Sequence, residues 1–211
     1  SEAASSPFFE EAVEVYAAVN NLTAEQEAIA RFWADNPGQT GTPPGHSMTI
    51  VSQILVQEGY MLDVAAEAYA AVGIAVSDAF ISCWAAKYDY NLLRPVTYIQ
   101  DFIDSAWTPP LPTPPFPEYS SGHSVQSAAA AQVLTDLFGA VPFTDHTHDA
   151  LGYEPRSFPD FFAFAEEAAI SRLYGGIHYR AAIERGLAQG QCVGQAVGAL
   201  QFRRPYYGPA T

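Results

Sequence analysis

The chain has 211 residues, of which 49% are hydrophobic and 15% are charged, and its formal net charge is −14. This length and apolar fraction are sufficient for a buried core, which argues against intrinsic disorder and favours a single domain over residues 1–211. The acidic balance argues against nucleic acids and anionic membranes as partners, and no uninterrupted apolar stretch of spanning length is found, so no transmembrane helix is predicted.

The chain begins at Ser1 without an initiator methionine or a signal-like run, from which we expect a processed or truncated product. Together with the acidic composition, this start predicts a secreted or periplasmic protein. Cys83 and Cys192 permit at most one internal disulfide, and both lie in apolar helical stretches. Buried free thiols are therefore the favoured interpretation.

Apolar residues recur at helical spacing along the first half of the chain, and almost no strand pattern is found. Thr23, with Gln26 three positions later, forms a capping-box pattern at the start of the second helix. Pro95 should end the longest helix, because its ring clashes with the preceding helical turn. We predict helices over residues 9–19, 24–36, 46–58, 61–90 and 97–104.

A proline-rich segment separates these helices from the second half of the chain. Its sequence, WTPPLPTPPFPEYSSGHS, has six prolines between positions 107 and 117, too many for a helix or a central strand, so it should wrap over a surface. The residues QFRRPYYGPAT are expected to form a final tail that packs on a neighbour. Between these segments we predict helices over 121–138, 159–174 (capped by Ser157) and 177–202.

The stretch SRLYGGIH, residues 171–178, places an arginine and a histidine on either side of two glycines. Inside a helix each glycine costs about 1 kcal/mol relative to alanine, so the pair predicts a break. If one helix ends near Tyr174 and the next begins near Ile177, His178 lies in the first turn of the new helix. Free N–H groups and the helix dipole favour an anion there.

A second segment suits the same kind of ligand. Ser121, Gly122 and His123 lie at the start of the helix predicted over 121–138. Backbone N–H groups, a hydroxyl and an imidazole can therefore converge on one oxyanion.

The third segment, KYDYNLLRP, supplies cations. Lys87 and Arg94 are seven residues apart, roughly two helical turns, so both are expected to project from one face. Lys87 and Arg94, Arg172 and His178, and the 121–123 segment together predict a strong site for a tetrahedral oxyanion.

Taken singly, each pattern has an ordinary structural explanation. The pair at 87 and 94 fits a solvated helix face, and the segment 121–123 fits a simple N-cap. Arg172 fits an ion pair with Glu166 or Glu167, and the histidine that follows it fits a hydrogen-bonded core residue. Because only nine cations occur in the whole chain, all three patterns would rarely arise together by chance, which favours one shared site.

Three motifs carry a resemblance to a known family: Lys87-x6-Arg94-Pro95, Ser121-Gly122-His123 and Ser171-Arg172-x5-His178. In this order they resemble the signature blocks shared by vanadium-dependent haloperoxidases and type-2 phosphatidic-acid-phosphatase-like acid phosphatases. The match is sharp over residues 80–200 and rests elsewhere on helical character alone. The resemblance implies an all-α helical bundle of the vanadium haloperoxidase and acid phosphatase type.

The resemblance also implies vanadate as the cofactor, with phosphate or sulfate as other occupants of the site. His178 would form the single protein bond to vanadium, His123 would be the acid–base partner, and Lys87 would polarise the bound peroxide. Hydrogen peroxide, a halide and a small organic acceptor would be the reactants, and a hypohalous-acid equivalent would halogenate the acceptor. The vanadate oxygens would be held by Lys87, Arg94, Ser121, Gly122 and Arg172.

Aromatic residues place the chain nearer the haloperoxidase branch. Trp84 lies three residues before the lysine and Phe116 seven before His123, and aromatics at matching positions of fungal chloroperoxidases shape the halide side of the pocket. Two departures concern the phosphatases: Ser120 stands where their pattern has proline, and Ala182 where it has the aspartate that orients the nucleophilic histidine. What fixes the tautomer of that histidine stays open.

Two alternative functions therefore remain. An acid phosphatase would act through a phosphohistidine at the same oxyanion site. A non-catalytic phosphate- or vanadate-binding helical module would have lost both activities.

The remaining histidines have weaker patterns. The loop DHTHD, residues 145–149, offers His146, His148 and two aspartates to a divalent metal, although such a loop is more often simply solvated. His46, after Pro-Pro-Gly, fits either a helix cap or a residue that approaches the oxyanion site from behind.

Haloperoxidases of this family are usually about twice as long, so the chain is expected to be the C-terminal, site-bearing half of a longer enzyme. Apolar surface exposed on such a half would need a partner. Association with the absent N-terminal half, or a homodimer, is the corresponding expectation.

Overall fold

Eight α-helices and one β-hairpin make up the computed structural model, which describes residues 6–200 and 202. The helices are α1 (Pro7–Asn20), α2 (Ala24–Phe32), α3 (Thr42–Gln57), α4 (Leu62–Tyr90), α5 (Pro95–Phe102), α6 (Gly122–Phe138), α7 (Phe161–Tyr174) and α8 (Arg180–Gly198). Strands β1 (Phe143–Asp145) and β2 (Arg156–Phe158) pair antiparallel, with a 3-10 turn at Asp149–Leu151 between them. The prediction of an all-α bundle is confirmed, and the predicted tail lies outside the described residues except for Phe202.

Helix α6 lies at the centre of the bundle and is buried along most of its length. Helix α8 packs directly against it because glycines form the contact: a Cβ on Gly190 would lie 2.1 Å from the carbonyl oxygen of Val125. Helices α4 and α7 pack on other sides of α6 through small and aromatic side chains. This packing fixes the N-terminal end of α6.

A smaller apolar cluster joins α1 and α5 to the region where α7 meets α8. Ala12 and Val15 of α1 pack there with Tyr98 and Ile99 of α5. Leu173 and Tyr179, on either side of the turn between α7 and α8, belong to the same cluster, which therefore supports that turn.

Helix α4 ends earlier than Pro95 would require. Asn91 adopts a left-handed backbone with φ of 46° and caps the helix, and Arg94 is the extended N-cap residue of α5. The expectation that Lys87 and Arg94 share one helical face is therefore wrong, because residues 91–94 are not helical. Pro95 opens α5, where its missing N–H costs nothing.

Several other boundaries differ from the sequence-based predictions; α5 and α8, for example, begin at Pro95 and Arg180 rather than at 97 and 177. Helix α2 ends at Phe32 rather than at residue 36. Helix α3 begins at Thr42 rather than at residue 46, because the two prolines after Thr42 fit a first helical turn, where N–H groups have no helical partner. Asp160, not Ser157, caps α7, and Ser157 instead lies in β2. The hairpin was not predicted because strands of three residues are too short to show an alternating pattern.

By length and composition alone, the stretch Leu62–Phe102 qualifies as a membrane-spanning candidate, with a mean hydropathy of 1.5 over its apolar window. This criterion tolerates up to two charged residues in the window, whereas the sequence-based prediction considered only uninterrupted apolar stretches. A third of that window is buried, and the core helix of a water-soluble protein meets the same criterion.

Both cysteines are free thiols. Cys83 is buried in the core, as predicted, but Cys192 is exposed. The reason is its place on α8, where the glycines at 190 and 194 face α6 and residue 192 points away from that contact.

Candidate active site

A cavity of about 420 Å³ opens between the N-terminal end of α6, the α7–α8 turn and the proline-rich segment. Its volume suits a small ligand with room for a second reactant. The lining includes Trp84, Phe116, Gly122, His123, Arg172 and His178.

The two glycines between α7 and α8 make the turn that presents His178. Gly175 caps α7, and Gly176 takes a left-handed backbone with φ of 72°. A Cβ on Gly175 would lie 2.6 Å from the Leu111 side chain of the proline-rich segment, so glycine lets that segment pack closely over the turn. Helix α8 begins at Arg180, so the expectation that His178 lies in the first turn of that helix is wrong; it lies in the turn before it.

Glu118 fixes the orientation of His178. Its Oε1 lies 2.6 Å from Nδ1 of His178 and accepts a hydrogen bond from the backbone N–H of Tyr179 at 3.0 Å. Burial raises the pKa of Glu118 to about 7, although the Tyr179 N–H and the charges of Arg94 and Lys87 oppose this. With Nδ1 occupied by this contact, Nε2 of His178 carries the lone pair of the neutral ring, which points toward Arg94.

Sequence reasoning missed Glu118. It is a single acidic residue in an apolar, proline-rich run, three positions before Ser121, and the absence of an aspartate at position 182 was the only signal that another carboxylate must serve His178. Ala182 is buried, and its carbonyl accepts from the Ser121 N–H at 3.1 Å.

Arg94 lies beside His178. Its Nη1 is 3.0 Å from Nε2 of His178 and donates to the carbonyl of Ile177 at 2.8 Å, while Nε donates to the carbonyl of Phe116. Its Nη2 is buried without a hydrogen-bond partner. Burial lowers the pKa of Arg94 to about 10, which still leaves the guanidinium charged at neutral pH.

Lys87 is fully buried and donates to three backbone carbonyls, those of Pro117, Glu118 and Ser120, at 2.6–3.0 Å. These bonds use all three ammonium hydrogens, and Lys87 is not among the residues that line the cavity. Burial lowers its pKa to about 8. The side chain thus ties the segment that carries Glu118 to α4 and adds positive charge behind the cavity wall.

The start of α6 presents His123 and Gly122 to the cavity. The Ser121 side chain is buried, caps α6 by accepting from the Ser124 N–H at 3.4 Å, and does not line the cavity. Nε2 of His123 is buried without a partner. Burial, reinforced by the charge of Arg172, lowers the pKa of His123 to about 3, so this nitrogen is a free acceptor at neutral pH.

Arg172 supplies a second buried guanidinium. Its Nε donates to Ser171 Oγ at 2.9 Å and its Nη2 to the carbonyl of Ala30 at 3.3 Å. Burial lowers its pKa to about 10. The alternative prediction of an ion pair between Arg172 and Glu167 is wrong, because Glu167 forms an ion pair with Arg156.

An aromatic wall faces these polar groups. The rings of Phe80, Trp84 and Phe116 lie in succession with centroids 5.0–5.1 Å apart, and all three line the cavity. The predicted residues Trp84 and Phe116 are thus on the same cavity as Gly122. Arg94 lies over the Phe116 ring, with its guanidinium carbon 5.1 Å from the ring centroid, so the apolar wall and the cations adjoin each other.

The structure brings the three predicted segments together around one cavity. Of the seven predicted anion-site residues, Gly122, His123, Arg172 and His178 line it directly, and Arg94 contacts His178. Lys87 and Ser121 are held by backbone contacts just outside it.

The other histidines separate into two groups. His146 is exposed and contacts Asp149, whereas His148 and His46 are buried around Asp35. The expectation that the whole 145–149 loop is solvated is therefore wrong, because its ends differ in burial.

Residues 67–204 match the family model of the VCPO second helical-bundle domain. The vanadium chloroperoxidase of Curvularia inaequalis is 31% identical over 134 residues, which cover 52% of this chain and 22% of that protein. The chain therefore spans less than a quarter of this curated relative.

Solved structures give a similar result. The crystal structure described as the first bacterial vanadium-dependent iodoperoxidase is 47% identical, with a TM-score of 0.89, and covers 93% of this chain and 50% of that one. The crystal structure of a holo-type bacterial vanadium-dependent chloroperoxidase is 21% identical, with a TM-score of 0.70, and the match covers 90% of this chain and 47% of that chain. At this identity the similarity supports the fold alone.

Proposed function

The chain belongs to the vanadium-dependent haloperoxidase family, and from this premise we propose that it holds vanadate and oxidises halide with hydrogen peroxide. The product would be a hypohalous-acid equivalent that halogenates a small organic acceptor. The observation that carries this proposal is the pair of buried, partnerless nitrogens, Arg94 Nη2 and His123 Nε2, beside a His178 whose Nδ1 is held by Glu118 and whose Nε2 faces Arg94 Nη1.

These groups fit a multiply charged oxyanion. Three buried cations, Lys87, Arg94 and Arg172, surround the cavity region against two buried carboxylates, Glu118 and Asp35. The surplus positive charge and the partnerless donor on Arg94 would be satisfied by an anion. We assign the vanadium bond to Nε2 of His178, and the oxygen contacts to Arg94, Arg172 and the N–H of Gly122.

When bound, vanadate supplies a V(V) Lewis acid that takes up hydrogen peroxide and makes one oxygen transferable to halide. The protein groups would do the rest. His123, neutral at neutral pH, would accept a proton at Nε2 from hydrogen peroxide and pass it to a hydroxide, which then leaves as water. Lys87 holds the 117–120 segment and strengthens the positive potential at the site.

The halide is proposed to enter along the aromatic wall of Trp84 and Phe116. Iodide is the first halide to test, since the relative at 47% identity is an iodoperoxidase. The chain spans about half the length of that relative, so we propose that the other half, or a second copy, completes the entrance to the site.

One observation favours a second function, acid phosphatase activity. The phosphatase pattern needs a carboxylate on the nucleophilic histidine, and Glu118 supplies it from another segment although residue 182 is alanine. His178 Nε2 would then attack phosphorus and His123 would protonate the leaving alcohol.

The test is oxidation of iodide, bromide and chloride by hydrogen peroxide before and after orthovanadate is added, with hydrolysis of p-nitrophenyl phosphate measured without vanadate. We expect vanadate-dependent halide oxidation that is lost in His178→Ala and retained in His146→Ala, which alters an exposed histidine. Hydrolysis inhibited by vanadate would instead support the phosphatase. Saturable vanadate binding without turnover would support a non-catalytic module and overturn both enzymatic proposals.

A further inference from the structure

A second cluster of buried ionisable groups lies behind the wall of the cavity. Asp35 follows α2, His46 lies on α3, and Asp145 and His148 flank the end of β1. All four are at most 3% exposed, and three distant chain segments contribute to them. Neither the oxyanion site nor the proposed reaction uses His46 or His148.

Ligand-type atoms converge at Asp35. Nδ1 of His46 lies 3.0 and 3.1 Å from its two carboxylate oxygens, and Nε2 of His148 lies 3.1 Å from Oδ1. One atom from each of these three residues lies within 4.8 Å of the other two. Three protein ligands at a tetrahedral zinc ion, with bonds of about 2.0–2.2 Å, would be about 3.4 Å apart, comparable to the 3.0–3.1 Å between each imidazole nitrogen and Asp35.

Another carboxylate, Asp145, contacts the other ring nitrogen of His46 and leaves Nδ1 for a ligand. Nε2 of His46 lies 2.6 Å from Oδ2 of Asp145. The other oxygen of Asp145 accepts from Thr147 N at 2.9 Å and from Gln53 Nε2 at 3.2 Å, so the carboxylate is rigidly oriented. A proton held on Nε2 by Asp145 leaves the Nδ1 lone pair of His46 directed at a second carboxylate. Two acceptors at 3.0 Å repel, so either a second proton on the ring or a metal ion lies between them.

We propose that Asp35, His46 and His148 bind one divalent transition-metal ion, with Asp145 orienting His46. Two imidazoles and one carboxylate are borderline ligands that favour zinc over magnesium or calcium, and zinc is the metal to test first. A carboxylate on the outer nitrogen of a ligating histidine is the usual support at such sites. Trp33 stacks on His46 at 4.5 Å between ring centroids and shields the site from water.

A proton is the competing occupant. Although burial opposes it, the hydrogen bonds with Asp145 and Asp35 raise the pKa of His46 to about 9. A metal ion would replace that proton and would neutralise two buried carboxylates at once.

The site would tie the end of α2, helix α3 and the β1 loop together. Because Asp35 also lines the oxyanion cavity, the metal would fix one wall of that cavity. The proposal does not depend on the haloperoxidase function, since vanadate is absent from its test.

The experiment is a titration of the purified, chelator-treated chain with Zn²⁺ in competition with a chromophoric chelator, and with Co²⁺ monitored by visible absorption. We expect about one equivalent of tightly bound metal and the intense visible bands of a low-coordinate Co²⁺ site. Affinity should fall about 10–100-fold in Asp145→Asn and further in His148→Ala. His146→Ala, two residues away and exposed, is the matched control and should bind like the wild type.

Circular dichroism of each variant separates lost metal affinity from lost folding, and the Co²⁺ spectrum of the wild type needs no variant. Absence of stoichiometric binding in the wild type would overturn the proposal. So would equal losses in His146→Ala and His148→Ala, or a nitrogen NMR spectrum in which His46 remains an imidazolium after zinc is added.

Discussion

Nδ1 of His178 lies 2.6 Å from Oε1 of Glu118, a residue sixty positions earlier in the chain. Because the same oxygen also accepts from the Tyr179 N–H, the carboxylate sets both the direction of the ring and the nitrogen that keeps its proton. The carboxylate thereby directs Nε2 of His178 toward Arg94 and the cavity.

Replacing Glu118 should weaken vanadate binding. We expect Glu118→Ala to raise the Kd for orthovanadate about 10–100-fold, because partners on the outer nitrogen of a ligating histidine contribute that much to metal affinity. Glu118→Gln keeps an oxygen that accepts from Nδ1 and should lose less. Isothermal titration calorimetry measures both, with the exposed Glu154→Ala as the control. Equal affinities in all four proteins would contradict the role of Glu118.

Lys87 should matter for stability as well as for charge. Lys87→Ala leaves three buried carbonyls without a donor and opens a cavity, so we expect the free energy of unfolding to fall by about 2–4 kcal/mol. Arg185→Ala, an exposed cation on α8, should change it by less than about 0.5 kcal/mol. Urea denaturation compares the two, and a similar small change for both would show that the lysine does not hold the segment.

The α6–α8 contact can be tested with two glycine substitutions. A Cβ on Gly190 would overlap the carbonyl of Val125, so Gly190→Ala should lower the free energy of unfolding by about 2 kcal/mol or more. Gly73 in α4 has no neighbouring atom within 4 Å of such a Cβ, and Gly73→Ala should raise it by about 0.5–1 kcal/mol. Thermal unfolding of both variants should therefore shift in opposite directions.

Two site residues should affect the pH dependence of stability with opposite signs. Folding lowers the pKa of His123 from its ordinary value of about 6.5 to about 3. Between these two pH values the unfolded chain binds more protons at His123 than the folded chain does. Stability is therefore lost as the pH falls from about 6.5 toward 3. The pKa of Glu118 rises to about 7, so its contribution is lost as the pH rises from about 4.5 to 7.

Urea midpoints between pH 7 and pH 5 measure this difference. Relative to the wild type, His123→Gln should make the loss of stability on acidification shallower, and Glu118→Gln should make it steeper. Parallel profiles for the three proteins would show that neither group titrates differently in the folded chain.

The helices and the three signature segments could be predicted from the sequence because each depends on local pattern. The Gly-Gly break at 175–176 and the small residues of α6 follow directly from backbone propensity and spacing. The position of Arg94 could not be predicted, because one left-handed residue, Asn91, ends α4 four residues before Pro95 begins α5.

The partners of the site residues were less predictable, because they come from distant segments. Glu118 reaches His178 across sixty residues, and Asp35 meets His148 across 113. No local spacing encodes such contacts, and the three carbonyls that bind Lys87 carry no side-chain signal at all.

The central claim is that three distant segments form one pocket for a multiply charged oxyanion, and calorimetric titration with orthovanadate tests it most directly. For the wild type we expect saturable binding of about one equivalent that phosphate competes away, weakened at least about tenfold, or 1.4 kcal/mol, in His178→Ala. Absence of saturable binding, or an unchanged Kd in His178→Ala, would contradict the account.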